Sequence, residues 1–315
     1  MSVGPYRLVT RSDFDGLVCG MLLRESGLIA EIKFVHPKDM QDGLVAITDR
    51  DIITNLPYVP GCHLAFDHHS SEMDRNGEVQ PNHIIDPTAP SAAHVVYRHF
   101  GGAAAFPKIG DDLMNAVDKA DSAQFSRDEI LNPTGWTLLN FLMDSRTGLG
   151  RFRDFTVSNY ELMMQLIDKC RHLSVDEVLA LPDVRERVAL YEAHREQFAA
   201  QLRRCATVHG KLCLLDLREE DPIFAGNRFM IYAMHPGCNI SAHVMWGLRK
   251  QNTVFAIGKS ILDRGSPVDV GAVCASYGGG GHTAAGTCQV DNERAEEVKT
   301  ALIERLNPPS LASAA

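Results

Sequence analysis

Residues 62–72 read CHLAFDHHSSE, a short apolar run that ends in one aspartate and two adjacent histidines, Asp67, His68 and His69. An apolar run with few breakers suits a buried strand, and open α/β sheets bind ligands beyond the carboxyl ends of their strands. Three more acidic groups stand where patterned segments end. Asp13 and Asp15 in SDFDG follow the first apolar stretch, at a spacing that puts both carboxylates on one side of an extended chain, and Gly16 then permits a tight turn into a helix. Asp49 closes the run LVAIT, and Asp118 and Asp121 lie in DKADS at the end of a helix-like stretch. Taken singly, each has a plainer role as turn residue, helix cap or solvated helix end. Together with DHH they point to ligation. Carboxylate oxygens joined by one or two imidazoles suit Mn²⁺ or Mg²⁺ rather than structural zinc, and the expected product is a paired-metal site. Such a pair activates water and stabilises charge on phosphoryl oxygens during in-line attack.

A second string, YGGGGHTAAG at 277–286, has no metal-ligand spacing but suits anions. Four consecutive glycines are entropically costly in a folded chain and fit a backbone that must approach something closely. Their N–H groups then form an anion-binding nest, the alternative being a flexible linker. His36 and Lys38 in FVHPKD are further candidates for reaching substrate, and Arg11 for contacting phosphate. Arg146, His94 and His243 read as ordinary helix or strand residues, and Met143, Met163 and Met164 as core.

The elements that must position these groups alternate in the first half: strands over 6–10, 32–36, 44–48 and 62–66, with helical character over 16–27. That order implies an α/β fold with a doubly wound, mainly parallel sheet. Helical patterns follow at 91–100, 111–121, 134–143 and 155–170. DVRERVALYEAHREQFAAQLRRCA, at 183–206, lacks glycine and proline and reads as a helical connector. Beyond it, strand-like runs at 211–216, 228–234, 241–248 and 254–259 and helices near 269–276 and 292–306 give a smaller mixed α/β domain. The expected division is 1–182, a linker over 183–208, and 209–307, with a frayed tail PPSLASAA.

The chain has 315 residues, which exceeds what one core usually organises. Its formal net charge of −9 argues against gripping long duplex nucleic acid through a basic surface, although a local metal cluster can still attract a phosphate. No apolar run approaches a membrane span, and MSVGPYRLV enters a strand-like segment at once, without a secretory signal. Eight cysteines form no CxxC pair, so reduced thiols and a cytoplasmic setting are the simplest expectation.

On DFDG, the strand-end aspartate, DHH, DSAQF at 121–125 and YGGGGHTAAG, the sequence resembles the DHH phosphoesterase family with its DHH-associated C-terminal domain, over nearly its whole length. The resemblance implies Asp13 and Asp49 on one ion and Asp15, Asp49, His68 and Asp121 on the other, with Asp49 bridging and Asp118 as substitute for Asp121. It implies Asp67 orienting His68, and His69 facing the scissile phosphate. Lys259, Gly279, Gly280, Gly281 and His282 would bind substrate, Lys259-Ser260 standing where an Arg-Ser pair is common. Val9 stands where many members carry a histidine, which weakens the first ion's site. The implied cofactor is a pair of Mn²⁺ ions, with Mg²⁺ or Co²⁺ as substitutes, and the implied partner is a small phosphorylated substrate, with a homodimer allowed. Short oligoribonucleotides, linear or cyclic dinucleotides and phosphoadenosine phosphate are the implied substrates. Exopolyphosphatase and a catalytically weak nucleotide sensor are the alternatives.

Overall fold

The computed structural model describes residues 6–69, 72 and 80–307, so the expectations for the first five residues and for PPSLASAA lie outside it. The chain divides into two compact units, residues 1–124 with 133–190, and residues 125–132 with 191–315. The division differs from the expected one in that the segment 125–132 joins the second unit and the change of unit falls within the long helix.

In the first unit, β1 (Tyr6–Thr10), α1 (Phe14–Glu25), β2 (Ile29–Phe34), α2 (Pro37–Gln41), β3 (Asp51–Thr54), β4 (Leu64–Asp67) and β5 (His83–Ile85) build a five-stranded sheet in the order β2-β1-β3-β4-β5. Every pairing in it is parallel. The strands are short apolar runs because both faces are covered. Leu8, Val9, Ile52, Ile53 and Phe66 are fully buried. Val9 packs with Met40, Ile53 and Ala65, so the position noted for its missing histidine is sheet core here. The helices α3 (Ala92–His99) and α4 (Asp111–Asp121) follow. α5 (Arg127–Leu131) falls in the second unit, and α6 (Gly135–Met143), α7 (Asn159–Lys169) and α8 (Val175–Ala180) return to the first. α9 (Pro182–Cys205) is one continuous helix over most of the run 183–206.

One strand is misplaced by the sequence reading. The run 44–48 is not a strand; β3 begins at Asp51. Both runs are apolar and β-branched, but Leu44 is 72 % exposed whereas Ile52 and Ile53 are fully buried.

The second unit carries β6 (Ala206–His209), β7 (Leu212–Asp216), α10 (Met230–Met234), β8 (Ile240–Trp246), β9 (Thr253–Lys259), α11 (Val270–Ala275), β10 (Gly280–His282), β11 (Ala285–Val290) and α12 (Ala295–Arg305). The run 228–234, expected as a strand, is helical. The strand order is β10-β11-β9-β8-β7-β6, with β7 and β8 parallel and the other pairs antiparallel. Leu212, Ile240, Ala242 and Phe255 on one face pack with Val270 and Cys274 of α11 and Val298 and Leu302 of α12. Among the described residues no helix is long and apolar enough to cross a membrane.

Candidate metal and phosphate sites

The first site forms where β1 and β4 end and α1, α3 and α4 begin or stop. Between β1 and α1 the chain turns so tightly that a Cβ on Gly16 would stand 2.0 Å from the Arg11 carbonyl oxygen, which explains the glycine of DFDG. Asp13 caps α1, accepting from the Gly16 N–H at 2.9 Å, and its other oxygen pairs with Arg11 at 3.0 Å. That aspartate, with burial working against it and Asp121 and Asp15 adding to it, holds the Arg11 guanidinium above its ordinary range.

Asp15 is 2 % exposed and accepts from the N–H groups of Ala92 at 3.1 Å and Ala93 at 2.8 Å, at the N-terminus of α3. Burial, and then the like charge of Asp121, push its carboxyl well above the usual carboxylate range. His68 Nδ1 lies 3.2 Å from the Ala89 carbonyl oxygen, which can only accept, so Nδ1 carries a proton and Nε2 faces Asp121 at 2.8 Å. Burial opposes the imidazolium, but the bond to Asp121 and the surrounding carboxylates outweigh it and raise His68 to about 9. Asp121 moves the other way: burial opposes its charge, and His68 lowers it.

Asp15, His68 and Asp121 each offer a ligand atom, all within 4.8 Å of one another. A buried and a half-buried carboxylate at that separation repel unless a cation lies between them, and a carboxylate, carboxylate, imidazole set is hard enough for Mn²⁺ or Mg²⁺. The donor set fits a divalent ion. Asp118, one helical turn before Asp121, is instead bonded by Ser91 Oγ at 2.7 Å and His94 Nδ1 at 2.8 Å.

Asp67 orients a different histidine from the one expected. Its Oδ1 accepts from the backbone N–H of His68 and bonds the ring of His69, at 2.8 and 2.7 Å, while the His68 ring is held by Ala89 and Asp121.

Asp49 takes no part. It is exposed and precedes β3, so in a parallel sheet it lies at the edge opposite to the ends of β1 and β4. The strand Asp51–Thr54 lies between it and that edge, a span of roughly 10 Å at about 3.3 Å per residue. The bridging role assigned to it is therefore corrected; the residue that follows β3 is Asn55, which the sequence reading missed because it took the wrong run as the strand. Of the other candidates, His36 caps α2 by accepting from the Lys38 N–H at 3.2 Å, Lys38 pairs with Asp42 at 2.9 Å, and Arg146 pairs with Asp144 at 2.8 Å. Met143 and Met163 are core, as expected.

The second group of expected residues assembles in the second unit. β10 pairs with β11 as a hairpin, and the Lys259 N–H donates to the Ala284 carbonyl oxygen at 2.8 Å, which sets Lys259 beside the glycine loop. Close approach explains two of the four glycines, Gly279 and Gly281, and there the chain approaches itself. A Cβ on Gly279 would lie 2.1 Å from the Thr287 carbonyl oxygen and one on Gly281, whose φ is 154°, 2.3 Å from that of Ala285. Around Gly280 the space is open. Ser260 is buried and its hydroxyl accepts from the N–H groups of Leu262 and Asp263, both at 3.1 Å, a turn-closing role.

Among solved structures the chain is similar to a pGpG-specific phosphodiesterase, PggH, from Vibrio cholerae, at 61 % identity over 96 % of this chain and 99 % of that one, with a TM-score of 0.83. The chain belongs to the DHH phosphoesterase family. It is accordingly a metal-dependent hydrolase of phosphoester bonds. The fold is also that of CDC45 from Entamoeba histolytica, at 8 % identity over 96 % of this chain and 95 % of that one, TM-score 0.50. A RecJ from Thermus thermophilus in complex with Mn²⁺ aligns at 15 % identity over 94 % of this chain and 51 % of that one, TM-score 0.45. No protein-family model matches the chain, and no curated protein matches it.

Proposed function

We propose that this DHH-family protein hydrolyses short linear nucleotides to mononucleotides, with a guanine dinucleotide carrying a 5′-phosphate as the preferred substrate. The carrying observation is the 61 % identity, over 96 % of the chain, to a phosphodiesterase specific for pGpG. The residues support the chemistry. Asp15, Asp121 and His68 Nε2 hold a divalent ion, Mn²⁺ by preference because an imidazole joins the carboxylates. Bound there, the ion lowers the pKa of water and draws charge from the phosphoryl oxygens. Asp13 is the remaining expected ligand for a second ion, although its carboxylate is engaged with Arg11 and the Gly16 N–H.

Asp67 keeps a proton on His69 Nδ1, which leaves Nε2, on a side chain that is 42 % exposed, as a hydrogen-bond acceptor for a water or a substrate hydroxyl. Within the second unit, Lys259 and the exposed Gly280 and His282 form a cationic, amide-rich surface suited to a phosphate. Eight free cysteines and a nucleotide substrate support a cytoplasmic setting. The test is a Mn²⁺-supplemented hydrolysis panel of a linear guanine dinucleotide, a linear adenine dinucleotide, a cyclic dinucleotide, phosphoadenosine phosphate and polyphosphate. Fastest turnover of the linear guanine dinucleotide, abolished by chelator, is expected. Faster release of phosphate from polyphosphate would overturn the substrate assignment.

A further inference from the structure

The strand lying between β1 and β4 ends in a residue that the proposed chemistry does not yet use. Asn55 follows Thr54 directly, is 1 % exposed, and has its backbone in the left-handed region at φ 53°. Among the described residues neither Oδ1 nor Nδ2 of its amide has a hydrogen-bond partner. Buried polar groups are almost always paired, and an amide left without a partner at both ends is costly. Asparagine tolerates a left-handed φ better than most residues, so the turn costs little and the unpaired amide is the telling feature.

The position of this amide is set by its neighbours. The Asn55 N–H donates to the Phe66 carbonyl oxygen at 3.1 Å, immediately before Asp67 and His68. On the other side, the Thr54 hydroxyl donates to Thr10 Oγ1 at 2.7 Å, and Thr10 leads into the segment that carries Asp13 and Asp15. The sheet order β1-β3-β4 therefore brings three strand ends side by side: the first supplies Asp13 and Asp15, the third supplies His68, and the middle one supplies Asn55. Asn55 thus occupies the place for which the sequence reading expected a bridging carboxylate.

Resting on the reading that Asp15, His68 and Asp121 hold a divalent ion, we infer that Asn55 is a neutral ligand at this centre, its Oδ1 turned to the cation side and its Nδ2 free to donate to a phosphate oxygen. Two consequences follow from the chemistry of an amide. It brings no negative charge, so it cannot do for a second divalent ion what a shared carboxylate does, and the protein holds one ion tightly rather than two. It also has a donor that a carboxylate lacks, so it can bind substrate as well as metal.

Two variants of the full chain test this. Asn55→Asp keeps the shape and adds the charge; Asn55→Gly removes the amide and accepts the left-handed φ without strain. Mn²⁺ titrated into metal-stripped protein by calorimetry should give one tight equivalent for wild type. In Asn55→Asp a second equivalent should appear, bound about tenfold or more tighter than any second ion in wild type. Asn55→Gly should bind the single ion about tenfold more weakly and raise KM for the linear dinucleotide about tenfold. Two equally tight ions in wild type, an unchanged titration in Asn55→Asp, or a wild-type KM in Asn55→Gly would each overturn the inference. Should Asn55→Asp fail to fold by circular dichroism, the KM of Asn55→Gly decides. Absence of any Mn²⁺ binding by wild type would instead overturn the proposed function on which this rests.

Discussion

One carboxylate oxygen of Asp67 holds both histidines that follow it, accepting from the His68 backbone N–H at 2.8 Å and bonding His69 Nδ1 at 2.7 Å. The His68 ring needs no help from Asp67, because the Ala89 carbonyl anchors it. Asp67→Ala should therefore free the His69 ring while leaving the metal ligands in place. Turnover is expected to fall about ten- to a hundredfold, the usual cost of losing a group that orients an active-site histidine. Mn²⁺ affinity by calorimetry should stay at the wild-type value. Parallel loss of Mn²⁺ binding would make Asp67 a ligand and sink the positioning role.

Asp15 is predicted to trade stability for metal. Its buried charge faces Asp121, an arrangement unfavourable without a cation. Asp15→Asn removes that repulsion and keeps an oxygen to accept from one of the two α3 N–H groups. Metal-free, the variant should unfold at the same urea concentration as wild type or a higher one. Mn²⁺ at a hundredfold excess over its Kd should stabilise wild type by about 2.7 kcal/mol and the variant hardly at all. Equal stabilisation of both would place the ion elsewhere.

Much of the candidate site was legible in the sequence because its residues sit in contiguous strings. DFDG reads as strand, turn and helix from the glycine alone, and DHH follows an apolar run that is indeed β4. The choice between Asp118 and Asp121 was not legible: they lie three residues apart on one helix face, and only the placement of His68 against one and of Ser91 and His94 against the other separates them. Asn55 was hidden for a different reason. Two β-branched runs lie within 44–54, and burial, which is a property of the whole sheet, decides which becomes β3. Glycine strings share that limit, since a close approach to a ligand and a close approach to a neighbouring strand demand the same residue.

The second unit should show an acid limb traceable to Glu220. Its carboxylate is bonded by Arg204, by Gln201 Nε2 at 2.6 Å and by the Cys205 thiol at 3.2 Å, joining the end of α9 to the loop after β7. The Arg204 guanidinium first, and then the Gln201 amide, lower it from 4.5 to about 2. A carboxyl lowered in the folded state contributes stability above its unfolded value, lost as pH falls through the folded one. Glu220→Gln should thus unfold at lower urea than wild type at pH 7, the gap closing between pH 4.5 and about 2. A gap of constant size across that window would assign the loss to packing instead of charge.

Neighbouring glycines of the second string are expected to behave in opposite ways. At Gly281 a side chain would collide with the Ala285 carbonyl oxygen, and φ is 154°, so Gly281→Ala should cost about 1–3 kcal/mol and loosen the β10–β11 hairpin. At Gly280 a Cβ meets nothing within 4 Å, so Gly280→Ala should change stability by less than about 0.5 kcal/mol. Because it leaves the fold alone, that second variant is the one that reports on substrate. If the Gly280 backbone and the His282 ring receive a phosphate, Gly280→Ala and His282→Ala should each raise KM for the linear dinucleotide, His282→Ala by about ten- to a hundredfold for the loss of a charged hydrogen bond. Neither should alter Mn²⁺ stoichiometry, since every proposed ligand to the ion lies in the first unit. Wild-type KM in both variants would leave the glycines with the structural role that Gly279 and Gly281 already fill, and would remove this loop from substrate binding.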